Sequence, residues 1–266
     1  MTPSHIILLF SVAVIAGALN SVAGGGSFLS FPALMFTGVT STIANATNTT
    51  ALWPGTIAST SAYRKSMSSE LVRRMIPLVV STVFGSLIGA QLLLKTKPAT
   101  FDRLVPWLLL VGTLFFNFRS KLTGWAGSHA GTIAGQRNAQ QGPSLTKVAL
   151  VTLAQGVLGI YVGYFGAGVG ILMLPLLALM GVEDIHAMSG VRTGMITCGN
   201  TVAIIVFILA HAVLWPQMFV MTIGAIVGGY GGAHYAQKMK PQTISYVVLV
   251  IGYGMATYFF WRTWIA

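Results

Sequence analysis

One stretch of the chain occurs twice, and this duplication limits the fold more than any other feature. Residues 20–50 return in altered form 143 positions later, as residues 163–193, without an insertion. The same register extends well beyond this stretch, so that Met75 corresponds to Met218. A period this long indicates two homologous halves of one fold rather than a solenoid of short units.

The composition predicts that both halves lie in a membrane. The 266 residues are 55% hydrophobic and only 7% charged, which leaves too few charged groups to cover a water-soluble globule. Long apolar runs between short polar loops are typical of spanning helices, whereas the strands of a membrane barrel alternate apolar and polar residues. We therefore predict an all-α, polytopic helical membrane protein in contact with a lipid bilayer.

Each half begins with an apolar helix that glycines interrupt. In the first half the apolar run 6–22 is followed by the run 28–36, which is too short to cross a bilayer alone. Runs 148–165 and 171–180 repeat this pattern in the second half. We predict a broken helix or a re-entrant hairpin in each half. The glycines at the two breaks are Gly24, Gly25, Gly26, Gly166, Gly168 and Gly170.

Polar residues mark the next span of each half. Residues 43–63 are rich in Thr, Asn and Ser, so this span and its counterpart 185–209 should face protein or water rather than lipid. We expect Thr100 and Asp102 to supply the cap and first turn of a later helix. The ordinary spans are residues 71–94, 101–118, 218–236 and 244–261.

Three glycine pairs at a spacing of four predict close helix packing. Packing through the same glycine faces between two copies of the chain, as a homodimer, is the other interpretation. The pairs are Gly85-x-x-x-Gly89, Gly224-x-x-x-Gly228 and Gly228-x-x-x-Gly232.

Loop charges indicate the orientation. Residues 64–74 hold four basic residues and their counterparts 207–217 hold none, as expected if the two halves are inverted. We divide the chain into repeats 1–118 and 148–266, joined by a polar cytoplasmic loop, residues 119–147. With Arg192 set aside, an inverted arrangement leaves ten Lys and Arg inside and four outside, against nine and five for parallel halves. This topology explains the net charge of +11 without a nucleic-acid partner.

Inverted halves with one broken helix each are typical of transporters whose site lies near the middle of the membrane. A broken helix leaves unpaired backbone N–H groups and a positive dipole end in the membrane, which suits an anion. The alternative is that the glycines are only points where helices cross.

Arg192 is the charge that lies deepest in a predicted span, where an unpaired cation costs at least about 2.5 kcal/mol. One interpretation makes Arg192 the counter-charge of an anionic substrate, and the other makes it an interface anchor or a partner of Glu183 or Asp184. The polar residues predicted to line the substrate site beside Arg192 and the glycines are Ser27, Asn45, Asn48, Thr49, Ser189 and Thr193.

No catalytic motif accompanies these residues. Cys198 is the only cysteine, and neither His186 nor His234 has a second ligand at metal spacing. We therefore expect neither enzyme activity nor a cofactor nor a metal site. All four acidic residues lie at the ends of spans, so we expect no acidic site for a coupling ion.

The two breaks carry a resemblance to a known family. The pattern A-G-x-x-N-S-V-A-G-G-G-S-F-x-x-F-P-A-L begins at Ala16, and G-V-x-x-x-x-A-N-A-T-N begins at Gly38. The second half has a degenerate copy, G-x-G-V-G-x-x-x-x-P, from Gly166. With these motifs the chain resembles the TauE/SafE family of sulfite and organosulfonate exporters. The resemblance implies export of small sulfur-containing anions across an inner membrane.

We interpret the chain as a secondary transporter in the inner membrane that exports sulfite or an organosulfonate. A channel-like anion pore, or a carrier of another small organic anion, is the alternative. A membrane scaffold without transport is the weaker rival.

Overall fold

The computed structural model describes residues 1–22, 25–118, 144–182, 184–236 and 241–264. Within these ranges the chain is helical and has no strand, so the predicted all-α class is confirmed. Apart from a 3₁₀ turn at Arg64–Ser66, they form ten α-helices. These are α1 (Pro3–Val22), α2 (Ser27–Phe36), α3 (Ser41–Ala62), α4 (Ser69–Lys95), α5 (Pro98–Asn117), α6 (Leu145–Tyr164), α7 (Val169–Leu179), α8 (Ile185–Leu209), α9 (Trp215–Ala236) and α10 (Pro241–Trp264).

The lengths and composition of these helices fit a membrane. In the described residues, five helices are long and apolar enough to cross it: α1, α4, α5, α6 and α8. Helices α2 and α7 are apolar but have only 10 and 11 residues. This agrees with the prediction that each half contains one short helix after a break.

The second break is a tight turn built on glycine. The N–H groups of Phe165 and Gly166 both donate to the carbonyl oxygen of Tyr161, which ends α6. Gly166 and Gly168 then take φ angles of +73° and +76°, a region in which a Cβ atom is strained. Gly168 is the N-cap of α7, while Gly170 lies inside its first turn. At the first break, α2 begins directly after Gly26, and Gly24 lies outside the described residues.

Two expected helix starts differ from the structure. Helix α5 begins at Pro98 with Lys97 as its N-cap, so Thr100 and Asp102 do not cap it. Proline is favoured at a first helical position because it has no N–H group to leave unpaired. Helix α6 begins at Leu145, capped by Ser144, so the predicted linker is shorter at its C-terminal end. The rest of the linker lies outside the described residues.

The two halves pack against each other through their long helices. The most extensive helix contacts join α1 to α9 and α4 to α6, each linking a first-half helix to a second-half helix. The two pairs are equivalent, since the 143-residue register carries α1 onto α6 and α4 onto α9. The same exchange relates the α2–α3 contact to the α7–α8 contact.

Glycines allow the backbones of these pairs to touch. A Cβ atom at Gly85 of α4 would collide with the carbonyl oxygen of Gly156 in α6. Its counterpart Gly228 in α9 meets the carbonyl oxygen of Val14 in α1 in the same way. These glycines therefore pack inside one chain, and a homodimer would need another surface.

Helices α3 and α8, which correspond to each other, cross in opposite directions. Trp53 Nε1 donates to Thr201 Oγ1 at 3.1 Å, while the hydroxyls of Thr60 and Thr197 lie 3.1 Å apart. Further along α3, the Cβ atom of Tyr63 lies beside Gly190. As the residue number rises in α3 it falls in α8, so the contact is antiparallel.

Helices α5 and α10, the other corresponding pair, are also antiparallel. The ring of Trp107 packs on Phe260 with ring centroids 4.9 Å apart, whereas Thr113 lies against Gly252. Two equivalent helices that meet antiparallel are related by an axis perpendicular to their own length.

Replacing Gly228 by alanine should lower stability by about 1–3 kcal/mol, because the methyl group would push α9 away from the backbone of α1. Thermal unfolding of the detergent-solubilised protein measures the effect as a lower Tm. Gly254→Ala is the matched control, since nothing lies within 4 Å of its Cβ position. An unchanged Tm for Gly228→Ala would contradict the tight α1–α9 contact.

Candidate functional site

Arg192 lies across the start of the short helix α7. A Cβ atom at Gly170 would stand 3.2 Å from Arg192 Cδ and 3.6 Å from Arg192 Nε. Arg192 Nε is buried and has no hydrogen-bond partner in the described residues. Because Gly170 has no side chain, the guanidinium stem can lie directly on the first turn of α7.

This contact brings two positive features together. The first turn of a helix leaves N–H groups unpaired and carries the positive end of the helix dipole. Gly168, the N-cap of α7, has no side-chain oxygen, and backbone carbonyl oxygens accept from two of these groups: Val169 N–H donates to Gly166 at 3.5 Å and Ile171 N–H to Gly168 at 3.3 Å. A guanidinium beside such a helix end is unfavourable by itself, and an anion bound between the two would compensate both. The electrostatics of this contact therefore favour an anion.

The alternative partner Asp184 is engaged elsewhere. Its two carboxylate oxygens accept hydrogen bonds from the N–H groups of His186 and Ala187 at 3.2 and 3.0 Å, as the N-cap of α8. The carboxylate thus satisfies the start of α8. Glu183, the other proposed partner of Arg192, lies outside the described residues.

The asparagines of α3 form a separate locus. Asn45 Nδ2 donates to the carbonyl oxygen of Tyr164 at 3.0 Å and so holds the end of α6 at the second break. Asn48 is 2% exposed, and its Oδ1 atom is buried without a partner in the described chain. The antiparallel crossing sets Arg192 beside the Tyr63 end of α3, about 14 residues or roughly 20 Å from Asn48.

The predicted single cluster is therefore divided. Thr49, which corresponds to Arg192 in the repeat, is half-buried on α3. It directly follows Asn48 and therefore also lies roughly 20 Å from Arg192. On α8, Ser189 lies about one turn before Arg192, and Thr193 directly follows it. The hydroxyl of Thr193 donates within its own helix, to the carbonyl oxygens of Ser189 and Gly190 at 2.9 and 3.0 Å.

The first break is filled by its own backbone and by α10. A Cβ atom at Gly26 would collide with the carbonyl oxygen of Ala16, and one at Gly25 would lie 2.7 Å from Val248. The carbonyl oxygen of Gly26 accepts the Ser30 hydroxyl at 3.0 Å. Ser27 follows in the first turn of α2 and is half-buried. These glycines are required for packing, and no charged side chain adjoins them here.

The sequence did not reveal the role of Phe28. Its ring is 1% exposed and lies 3.2 Å from the Cβ position of Gly168 and 3.0 Å from that of Gly112. The start of α2 therefore touches the start of α7 through one aromatic ring. No periodic pattern marks Phe28, because the contact joins two halves that are distant in sequence.

A hydroxyl row along α8 was also missed, although its signal was present. Thr193, Thr197 and Thr201 are spaced by four residues, and each donates to the carbonyl oxygen four residues earlier. Such bonds let a polar side chain sit in a membrane helix without an unpaired donor. This row contacts α3 through Trp53 and Thr60.

Comparison with known proteins identifies the family of this chain. The family described as Sulfite exporter TauE/SafE matches residues 9–259 of the chain. The chain belongs to the TauE/SafE family. The resemblance carried by the two glycine motifs is thus confirmed. As a member of this family with several spanning helices, the chain is a multi-pass membrane transporter.

Curated relatives agree with this family. A "Probable membrane transporter protein" of Haemophilus influenzae is 28% identical over 250 residues, which cover 93% of this chain and 91% of the relative. The "Probable membrane transporter protein YfcA" of Escherichia coli K12 is 27% identical, over 96% of this chain and 90% of its own. A Bacillus subtilis relative, "Probable membrane transporter protein YunE", is 25% identical, with 92% and 93% coverage. No solved structure matches the chain significantly.

Gly170→Ala should weaken anion binding by roughly tenfold, because its methyl group would displace the Arg192 stem and remove about one charge-assisted hydrogen bond. Isothermal titration of the purified protein measures the affinity. The matched control is Gly194→Ala on α8, whose Cβ position has only an ordinary contact at 3.7 Å. Equal affinity in both variants would exclude the start of α7 from the site.

Proposed function

We propose that the chain is a secondary carrier that exports sulfite or a small organosulfonate. The observation that carries this proposal is the buried, unpartnered Nε of Arg192 lying over the glycine start of α7. An anion is the ligand that would satisfy both the guanidinium and the helix end.

The chemistry of the guanidinium favours an oxyanion. Its planar fork donates two parallel hydrogen bonds, which match two oxygens of a sulfite or sulfonate group as well as those of a carboxylate. The absence of a side chain at Gly170 lets the stem of Arg192 pack directly on the first turn of α7. Asn45 is a positioning residue in this scheme, since it holds the end of α6 where α7 begins.

The relation between the halves supports a carrier. Corresponding helices α3 and α8 meet antiparallel, as do α5 and α10, which supports inverted repeats related by an axis in the membrane plane. Gly26, at the start of α2, lies back beside Ala16 and Asn20 of α1. This supports re-entrant hairpins rather than broken full spans. Inverted repeats allow a site to open to each side in turn.

We assign the basic loop to the cytoplasm of an inner membrane. Arg74 donates to the carbonyl oxygen of Met180 at 2.6 Å, so the C-terminal end of α7 lies at the level of this loop. Excess positive charge on the cytoplasmic side then sets the central linker on that side as well.

The direct test is flux of labelled sulfite, a sulfonate and a carboxylate in proteoliposomes of the purified chain. We expect sulfite or sulfonate flux that is accelerated by unlabelled anion on the opposite side, because a carrier exchanges its ligand. Flux without this acceleration would favour a pore, and preference for the carboxylate would favour another organic anion. No anion flux would exclude the proposal.

Arg192→Ala should lower anion affinity by about tenfold or more, since it removes a charge-assisted hydrogen bond in a poorly solvated site. Arg192→Lys should recover only part of the loss, because an ammonium group cannot form the two-bonded fork. Titration of sulfite into each variant measures the effect. Arg64→Ala removes an exposed cation and serves as the control. Wild-type affinity in Arg192→Ala would make Arg192 an interface anchor.

Export should be driven by the membrane potential. The described acidic residues, Glu70, Asp102 and Asp184, all lie near the start of a helix rather than at mid-span. An anion that leaves a negative interior gains about 2.3 kcal/mol per charge for each 100 mV, which sustains a roughly fiftyfold outward gradient. Valinomycin-imposed potassium potentials at equal pH should therefore drive the anion towards the positive side.

The control for this measurement is a pH gradient without a potential. A sulfonate that does not titrate should not respond to it. If its flux follows the pH gradient and ignores the potential, a proton is carried and the driving force is different.

A further inference from the structure

A second charged site lies far from Arg192, where α5 begins and α10 ends. A cavity of about 260 Å³ opens there between these two helices and the C-terminal end of α2. Its lining combines one acid, two bases and an apolar floor. These residues are Asp102, Arg103, Arg262, Thr263, Met35 and Phe259.

The acid in this cavity is not satisfied by the protein. Asp102 Oδ1 is buried and has no hydrogen-bond partner among the residues that the structure describes. Asp102 also lies beyond the cap of α5, so no helix start accounts for it. A buried carboxylate oxygen without a donor is costly, and a ligand that supplies a donor would remove that cost.

The two arginines have ordinary explanations that do not extend to Asp102. Arg262 is in the last turn of α10, where a cation interacts favourably with the helix dipole. Arg103 is exposed. Neither explanation requires Asp102 to lie beside Arg103 and Arg262 in one cavity. A ligand with both an anionic and a cationic group does require the two arginines and the acid together.

Aromatic residues locate the cavity at the membrane surface. Trp107, Trp261 and Trp264 flank it on α5 and α10, and they are 51, 54 and 63% exposed. In membrane proteins, tryptophan is enriched at the level of the lipid headgroups. The cavity therefore opens where headgroups lie.

The repeat does not account for these charges. The positions equivalent to Asp102 and Arg103 in the second half are Ser245 and Tyr246. The acid and one base thus belong to one end of the molecule only, although the fold is built twice.

We propose that this cavity binds the headgroup of a zwitterionic phospholipid of the phosphoethanolamine class. Arg103 and Arg262 contact the phosphate, and Asp102 Oδ1 accepts a hydrogen bond from the primary ammonium group. A trimethylated ammonium cannot donate this bond, and a glycerol headgroup has no cation, so both related lipid classes bind less tightly.

Native mass spectrometry of the full chain tests this with phosphatidylethanolamine, phosphatidylcholine and phosphatidylglycerol of identical acyl chains. We expect about tenfold stronger retention of the ethanolamine lipid, the effect of one charge-assisted hydrogen bond. Asp102→Asn should abolish this preference, and Asp102→Ser, the residue of the other half, should act likewise. Equal retention of all three lipids by the wild type would overturn the proposal and leave water as the partner of Asp102.

The arginines are tested by a matched pair of double variants. Arg103→Gln with Arg262→Gln should weaken retention of every phospholipid, whereas Arg64→Gln with Lys65→Gln removes the same charge elsewhere and should not. Soluble glycerophosphoethanolamine tests the source of the ligand. Failure to displace the lipid at millimolar concentration is expected for a membrane ligand, and displacement at micromolar concentration would overturn the lipid assignment.

Discussion

The whole arrangement depends on direct backbone contact between helices of different halves. Gly85 in α4 and Gly228 in α9 let these helices touch α6 and α1 at carbonyl oxygens. In lipid, apolar side chains gain little by leaving one apolar surface for another, so close packing has to supply the association. Each half therefore cannot form its tightest contact alone, and α3 and α8 are held between the two interlocked pairs.

The packing of these two helix pairs allows the polar side chains between α3 and α8 to lie in an apolar environment. The threonine hydroxyls of α8 donate hydrogen bonds to carbonyl oxygens of their own helix, and Trp53 and Thr60 of α3 contact this row. Arg192 is different, because its Nε has no partner in the described part of the chain and lies against the first turn of α7. A buried polar group that the fold leaves unsatisfied marks where a ligand is expected.

The sequence predicted the helical class, both breaks and the short helices α2 and α7, since glycine clusters and run lengths are local signals. It also singled out Arg192. It predicted one site from Arg192, Asn45 and Asn48, because repeat positions were treated as neighbours, whereas in the structure an antiparallel crossing of α3 and α8 separates these residues. The role of Phe28 and the charged cavity at Asp102 depend on contacts between distant segments, which no periodicity encodes.

The ring of Phe28 links the two short helices mechanically. It belongs to the first turn of α2, yet it rests against the N-cap of α7 and against Gly112 of α5. Well-packed interiors transmit displacement rather than absorb it, because they contain few voids. If one short helix tilts, the ring must move with it and press on or release the other short helix. A displacement at either break therefore reaches the other break, although the two belong to different halves of the sequence.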